Sequence, residues 1–507
     1  MKTDGIPGLS GPVLMLAGLA LGLSNFMVVL DTTIANVSVA HISGSLAITS
    51  SQGTWIITSY SVAEAICVPL TGFLTARFGA VRTFVAGMIG FAVFSLLCGL
   101  STTLTMLVLC RVGQGFCGGP IMPLTQTLLL RIFPRRQQGL ALSLWSMTTV
   151  VAPVLGPILG GVLSDNASWH WIFFINLPVA AFCATVSLSL LRRAETELGS
   201  ARVDVVGLVL LVIWVASLQV MLDLGQDRDW FNDTLIRTLG IVAAIGFAVF
   251  CAWEVTDPFP AVDLRVFRHR GFSASVVALS LAFGAFFVSS VIIPQWLQAN
   301  MGYTASWAGY ATAFTGVSAL LSAPLVAYFS ARTDPRLLVF SGIAWLGLTS
   351  LLRTHWTSGT DFWSLALPQL LQGAGMLFFF VPVTTIGLAA VDPAETASAA
   401  GLMSFMRTMA GAVGTSIATS AWENDSRAMR SELVGQMHSA AVTQSLSAQG
   451  WSLGQIRGTI EQLMTKESFA LATDQIFLTS ALVFVVAALS IWLAPRPART
   501  IEPGAAH

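Results

Sequence analysis

Long apolar runs alternate with short polar connections along most of the chain. A helix rises 1.5 Å per residue, so about 20 apolar residues cross the hydrocarbon core of a bilayer. The pattern predicts an all-α membrane protein with about fourteen spans, and an even number of spans places both termini on one side. The predicted spans lie near residues 13–39, 54–75, 83–101, 103–130, 139–163, 170–191, 203–222, 234–253, 272–296, 305–330, 336–352, 362–390, 398–420 and 469–493.

An internal repeat relates the first six spans to the last six. Segments 111–134 and 369–393 share a Gln-Gly pair, at Gln114 and Gln372, and two prolines with the same internal spacing. Duplicated halves with a binding site at their interface are typical of secondary transporters. The repeat therefore predicts two six-helix halves and a pair of inserted helices. The predicted units are residues 1–200, residues 201–256, and residues 257–507 with an outer loop at 422–468.

Composition and the absence of several motifs argue against some classes of function. Hydrophobic residues make up 55% of the 507 residues and charged residues only 10%, against about 25% charged in soluble proteins. Lys+Arg and Asp+Glu are equal at 25 each, so nothing indicates a nucleic-acid partner. The sequence contains no phosphate-binding loop, zinc motif or histidine cluster. We therefore expect no enzyme activity and no cofactor, and ATP-driven pumping by this chain alone is disfavoured.

The positive charges indicate the orientation. By this span assignment sixteen Lys and Arg residues lie on the side of the termini, seven lie on the other side, and Arg111 and Arg407 lie within spans. Cytoplasmic loops carry the excess of positive charge. Both termini are thus predicted to be cytoplasmic.

Four ionisable residues fall inside predicted spans: Asp31, Glu64, Arg111 and Arg407. Each costs roughly 2.5–3.5 kcal/mol near the bilayer centre even on the lenient insertion scale, so such residues generally have a function. Counting from the span ends places the first three roughly 12–15 Å below the outer surface. We expect these three residues to share one layer of the first half.

The repeat suggests that this charged layer belongs to the first half alone. Arg111 corresponds to neutral Gln369, and spans 9 and 10 have no acid equivalent to Asp31 or Glu64. Burial favours a protonated carboxyl group and a nearby guanidinium favours the ionised form, so the balance can set a proton-binding site. The alternative is a static salt bridge that orients helices. Asp223, Glu254 and His41 lie at span ends and are predicted to be solvated.

Two groups of small residues accompany the charges. Pro153, Gly156, Pro157, Gly160 and Gly161 lie in span 5, where small residues four apart permit close helix packing and the prolines favour a kink. We interpret this segment as a hinge or seal between the halves.

The connection between spans 2 and 3 contains Gly72, Arg77, Gly79 and Arg82 and is a candidate cytoplasmic gate loop. Its charges are equally explained by the positive-inside rule alone. The hydrophilic segment 422–468 has weak helical periodicity, and it is either a cap that contacts a partner or gate, or a passive connection.

Taken together, these motifs resemble the fourteen-span drug:proton antiporters of the major facilitator superfamily, and EmrB-type members in particular. The resemblance implies the major facilitator fold. The matching segments are Leu30–Val37, Gly72–Arg82, Arg111–Gly115, Gly156–Gly161, Trp169–Asn176, Asp229–Phe231 and Arg407–Gly411.

The resemblance implies proton-driven export of hydrophobic or amphipathic toxic compounds across a bacterial inner membrane. It also implies a periplasmic membrane-fusion adaptor and an outer-membrane channel as partners, through segment 422–468. One position departs from the family: Ala76 stands where the loop motif usually has an acid, so the proposed charge relay of that loop is not carried over. Glu64 matches no family signature.

Three functional hypotheses follow. In the first, the chain is a proton-coupled antiporter in which Asp31 carries the proton, Arg111 modulates it, and Glu64 is a second acid or an anchor for cationic drugs. Aromatic side chains then line an apolar cavity between the halves. The second is a uniporter or a lipid- or fatty-acid-type exporter whose charges are structural. The third, a sensor that transports nothing, conflicts with the repeat.

Overall fold

The structure is a computed structural model that describes residues 11–48, 50–134, 137–196, 204–330, 332–392, 395–436, 446, 448 and 451–496. Within these residues the regular structure is entirely helical. The helical segments follow the predicted spans, and we number them in the same way. They are span 1, Gly11–Ser45; span 2, Ser50–Cys67 continued by Thr71–Phe78; span 3, Ala80–Gly99; span 4, Leu104–Gly118 and Ile121–Ile132; span 5, Gln138–Asn166; span 6, Asn176–Leu190; span 7, Val205–Gly225; span 8, Thr234–Thr256; span 9, Arg270–Ala299; span 10, Ala305–Ser330; span 11, Pro335–Leu351; span 12, Phe362–Ala389; span 13, Thr396–Gln436; and span 14, Leu453–Ser490.

Length and hydropathy support this number. Eleven helices in the described part of the chain are long and apolar enough to cross a membrane, and the two arms of span 5 make a twelfth. Span 11 is a shorter apolar helix. Span 13 is the remaining segment, and its outer part is polar. An all-helical architecture with about fourteen spans is thus confirmed.

Acidic side chains cap the N-terminal ends of several spans. Asp204, Asp233, Asp334 and Asp361 accept hydrogen bonds from backbone N–H groups in the first turns of spans 7, 8, 11 and 12. These N–H groups have no partner within the helix, and a side-chain oxygen satisfies them. Asp233 lies in the turn before span 8, and the hydrogen bond that it accepts from the Ile236 N–H group holds its pKa below its usual value. Polar caps therefore mark helix ends at both faces of the bundle.

We call the end of the bundle where span 1 begins and span 14 ends the terminal face, and the other end the opposite face. Spans 2 and 13 meet near the terminal face. A Cβ atom at Gly72 would lie 2.9 Å from Cα of Ser398, and one at Gly401 would lie 3.0 Å from the carbonyl oxygen of Val68. Backbones this close require glycine. The contact closes the gap between spans 2 and 13 on this side.

Span 5 lies between span 1 and span 10 and packs along both. Its axis bends by 46° between the arms Gln138–Pro153 and Ile158–Ser164, where the sequence predicts a kink. Gly309 of span 10 packs on Ile158. Span 5 therefore connects the first six spans with the last six.

The hydrophilic segment 422–468, for which the sequence shows weak helical periodicity, is helical over most of its described residues. Span 13 continues as one helix to Gln436, and span 14 begins at Leu453 with a capping box formed by Ser452 and Gln455. Arg430 and Glu461 form an ion pair between the two extensions. At 1.5 Å per residue, the 41 residues of span 13 reach about 60 Å, twice the thickness of the hydrocarbon core. Much of the segment is thus a projecting helical hairpin; residues 437–445, 447 and 449–450 lie outside the described structure.

Candidate functional site

A cavity of about 400 Å³ lies in the bundle and is lined by side chains of spans 1, 2, 4, 5, 7, 9 and 13. Its lining on span 13 extends from Arg407 to Thr419, toward the opposite face. At the terminal face, spans 2 and 13 are in contact. The cavity is therefore accessible toward the opposite face and closed toward the terminal face.

Asp31 is fully buried and forms an ion pair with Arg111, with 2.6 Å between Oδ2 and Nη1. Its other carboxylate oxygen accepts hydrogen bonds from Gln114 at 3.1 Å and from Asn176 at 2.7 Å. Ser95 accepts hydrogen bonds from the same two amides and holds them in place. Four spans thus contribute to a polar cluster around one carboxylate.

Arg111 is held equally firmly. Its Nε donates to the carbonyl oxygen of Ile56, its Nη1 also donates to Gln114, and the guanidinium carbon lies 4.1 Å from the centroid of the Tyr60 ring. The structure brings Asp31 and Arg111 together, as the sequence predicts. The carboxylate itself does not line the cavity, but the next two residues, Thr32 and Thr33, do.

Glu64 and Arg407 line the cavity and interact electrostatically. The Arg407 guanidinium lies among the rings of Trp145, Phe283 and Phe380, 5.1–5.8 Å from their centroids, and contacts the thioether of Met122. Cations are attracted to the faces of aromatic rings. The cavity wall therefore carries one carboxylate on span 2 and one guanidinium on span 13.

The expectation that only the first half has a charged layer is wrong. Arg353, counted from sequence as a charge of the outer side, is completely buried. It donates to Gln369 at 3.0 Å, to Gln372 at 2.6 Å and to Ser289 at 3.4 Å. Arg353 directly follows the end of span 11, and its side chain is long enough to fold back into the bundle. The second half therefore has a buried guanidinium beside the glutamine that matches Gln114.

This second cluster differs from the first in having no acid. Among the described residues no carboxylate lies within ion-pair distance of Arg353, and amide, hydroxyl and carbonyl oxygens accept its hydrogen bonds. A guanidinium stays protonated in proteins and this cluster has no carboxylate to take up a proton, so we interpret the role of Arg353 as structural.

Substituting Arg353→Ala should lower the apparent melting temperature in detergent by several degrees. Removal of the guanidinium leaves buried amide oxygens without donors, which costs about 1–3 kcal/mol per group. The exposed Arg237→Ala variant is the control, since it removes the same charge from the span 8 surface. Any transport that remains should keep the pH dependence of the wild type. An Arg353→Ala protein as stable as the control contradicts the structural role.

One of the three residues predicted to be solvated is buried. Glu254 is fully buried and accepts a hydrogen bond from the Val262 N–H group at 3.1 Å. Asp223 is exposed, as expected, and it lines the cavity, where Gln219 donates to its carboxylate at 3.2 Å. His41 is exposed on span 1, as expected. Position near a span end thus fails to indicate which way a side chain points.

The small residues of span 5 lie against span 1. A Cβ atom at Gly156 would lie 2.7 Å from Cβ of Thr33, and one at Gly160 would lie 2.9 Å from the carbonyl oxygen of Ile34. Pro153 lines the cavity, and Gly161 has open space around its Cα. The side chain of Pro157 lies outside the described structure. Gly156 and Gly160 therefore set the distance between the two helices.

The gate-loop residues lie at the terminal face. Gly79 has a φ of 91°, a left-handed conformation that favours glycine, and it packs against Glu195 after span 6. Glu195 accepts hydrogen bonds from the backbone N–H groups of Val81 and Arg82. The Arg77 guanidinium lies 6.0 Å from the ring centroid of Phe78. Although the loop lacks the usual acid, Glu195, which the sequence analysis missed, supplies a carboxylate from outside it.

Comparisons with known proteins identify the relatives of this chain. The chain is 41% identical over 495 residues to the multidrug export protein EmrB of Escherichia coli K12, covering 96% of this chain and 97% of that protein. It is 41% identical over 496 residues to the fatty acid resistance protein FarB of Neisseria gonorrhoeae, covering 97% and 98%. The colistin resistance protein EmrB of Acinetobacter baumannii is 30% identical over 434 residues, covering 85% and 83%.

Solved structures support the fold. The human organic anion transporter MFSD10 superposes with a TM-score of 0.61 at 14% identity, over 95% of this chain and 100% of that chain. A bacterial homolog of the human lysosomal transporter Spinster gives 0.54 at 15% identity, over 96% and 97%. The family model of the Major Facilitator Superfamily matches residues 21–415. This multi-pass membrane protein therefore belongs to the Major Facilitator Superfamily of transporters.

Proposed function

We propose that the protein is a proton-driven antiporter that exports hydrophobic or amphipathic compounds across a bacterial inner membrane. The observation that carries the proposal is the buried Asp31–Arg111 pair directly behind the wall of a cavity that is accessible from one face only. The printed names of the relatives, multidrug export and fatty acid resistance, support amphipathic small molecules as substrates.

The proton acts on the polar cluster. Protonation of Asp31 removes the negative charge that compensates Arg111, so the pair separates and its hydrogen-bond partners rearrange. Asp31 lies on the same helix as Thr33, which packs against Gly156 of span 5. A change at the cluster is therefore transmitted to the helix that joins the two groups of six spans. In this proposal residues 1–200 and 257–507 are the moving halves, and 201–256 are inserted helices.

The excess of positive charges on the side of the termini supports a cytoplasmic terminal face. The cavity then faces outward, as expected for the state that has released a compound and takes up a proton. Glu64 lines the cavity and acts as the acid that is directly accessible to water. Asp31 lies behind the cavity wall, and its protonation changes the polar cluster. The loop residues Gly72, Arg77, Gly79 and Arg82 belong to the closed cytoplasmic gate.

The projecting hairpin is the proposed contact with a periplasmic adaptor, which leads to an outer-membrane channel. Its helices extend past the bilayer and expose Val434, Leu453 and Leu463 by 55–59%. Apolar side chains exposed in water on a polar support are typical of protein interaction sites.

A second candidate is a uniporter or a fatty-acid-type exporter without obligatory proton coupling. One observation favours it: the Asp31 carboxylate accepts hydrogen bonds from three side chains, as a carboxylate in a static structural salt bridge does. Arg407 at the cavity wall is a possible partner for a carboxylate headgroup.

Reconstituted transport separates the two candidates. In proteoliposomes with an acidic lumen and the membrane potential clamped at zero, antiport drives substrate inward as protons leave. A neutral dye that does not titrate should accumulate above its external concentration, and a protonophore should abolish the accumulation. Such a dye avoids trapping by pH itself. Equilibration to the external concentration, with or without a pH gradient, supports the uniporter instead.

A further inference from the structure

Span 7 forms part of the cavity wall. It belongs to the inserted pair of helices and packs between span 2 and span 13. Its residues Gln219, Leu222, Asp223 and Gln226 line the cavity. The inserted helix is therefore a component of the central site and does more than surround the bundle.

Polar contacts hold span 7 on both sides. The Thr58 hydroxyl of span 2 lies beside the Asp223 carboxylate. On the other side, Ser416 of span 13 donates to the carbonyl oxygen of Leu222 at 3.0 Å, and Gln226 donates to Glu423 at 2.6 Å. These contacts hold the Asp223 side chain toward the cavity.

Asp223 lies near the cavity opening and the other charges lie deeper. Ser416 marks the level of Asp223 on span 13, and the backbone of Arg407, nine residues earlier, lies about 14 Å from that level along the helix axis. On span 2, Glu64 is six residues beyond Thr58, about 9 Å deeper. The Arg407 guanidinium is therefore remote from Asp223 and close to Glu64.

The charge of Asp223 has no positive partner in the cavity. Among the described residues, no Lys or Arg lies within ion-pair distance of its carboxylate, and Arg407 is the one cation in the cavity lining. With Glu64 and Asp223 ionised, the lining carries a net charge of one negative unit. The ring of Phe287 and the side chains of Val291 and Leu222 supply an apolar surface at the same site.

We infer that Asp223 is a specificity-determining residue that selects positively charged amphipathic compounds at the cavity opening. The carboxylate attracts the cationic group, while the apolar wall holds the hydrophobic body. This inference rests on the proposed export function and adds a substrate preference, assigned to the inserted helix.

The test uses two ions of nearly the same size and opposite charge, tetraphenylphosphonium and tetraphenylborate. Their binding to the full-length purified protein is measured by tryptophan fluorescence in detergent, without a pH gradient. Asp223→Asn should weaken binding of tetraphenylphosphonium by about fivefold or more, and binding of tetraphenylborate should stay equal or strengthen.

Asp227→Asn is the matched control, because it removes the same charge one turn away, outside the cavity. It should leave both affinities unchanged. The inference is overturned if Asp223→Asn weakens the binding of both ions equally. It is also overturned if the wild-type protein binds tetraphenylborate but not tetraphenylphosphonium. Because binding is measured without a gradient, a failure of proton-driven transport in proteoliposomes leaves this result intact and counts only against the proposed function.

Discussion

Asp31→Asn should reduce pH-gradient-driven accumulation of substrate to the level of protein-free liposomes. Asparagine retains the size of the side chain but cannot take up a proton, and its amide nitrogen cannot accept the hydrogen bonds that one of the Asp31 oxygens receives. It also leaves Arg111 without its counter-charge, and breaking a buried pair in this way costs about 3–5 kcal/mol of stability. Exchange of labelled for unlabelled substrate, which needs no net proton movement, should persist in the protein that remains folded.

A double variant separates loss of coupling from loss of folding. Asp31→Asn combined with Arg111→Gln leaves no unpaired charge, because both partners become neutral amides. Its melting temperature should recover relative to Asp31→Asn alone, while gradient-driven accumulation stays absent. Gradient-driven accumulation by either variant would falsify the role of Asp31 as proton carrier and favour the static salt bridge.

Gly156→Ala should lower the transport rate by about tenfold or more, whereas Gly161→Ala should transport like the wild type. The added methyl group at position 156 meets Thr33 and the backbone N of Ile34, at 2.7 and 3.1 Å. Forcing extra volume into a packed interface costs about 1–3 kcal/mol, and 1.4 kcal/mol corresponds to a factor of ten. At position 161 the described part of the structure has no atom within 4 Å of the added methyl group, apart from the backbone of the same helix and the two neighbouring residues.

The two glycines form a matched pair because they belong to one helix and undergo the same substitution. Alanine also favours helix over glycine by about 1 kcal/mol, and this gain applies to both variants. Initial rates per folded protein are compared after reconstitution at equal density. Equal rates for the two variants contradict the assignment of Gly156 to the moving contact between spans 1 and 5.

The spans could be predicted because the bilayer imposes a minimum length on every apolar segment. The Asp31–Arg111 pair could be predicted for a related reason: charges inside apolar runs are costly and rarely remain alone. The contributions of Gln114 and Asn176 to the cluster were not predicted, because neutral amides hardly disturb the hydropathy pattern. Their positions follow from tertiary packing, which a single sequence does not give.

Charges at span ends were the main source of error. Arg353 and Glu254 lie within a few residues of a helix end, where hydropathy cannot distinguish a solvent-facing side chain from one that points inward. The segment 422–468 showed only weak helical periodicity, so its helix ends could not be predicted from the sequence. Polar residues form stable helices outside the bilayer when a partner helix, here joined by Arg430 and Glu461, lies alongside.

The unbroken course of span 13 has a mechanical consequence. One helix carries Arg407 within the membrane and ends at Gln436, 29 residues farther on, so it acts as a rigid lever of about 44 Å. A tilt of about 5° at the level of Arg407 displaces the far end of a helix of this length by about 4 Å. A spectroscopic label on the hairpin should therefore report a tilt of span 13 as a large displacement. A partner bound to the hairpin would be displaced in each transport cycle.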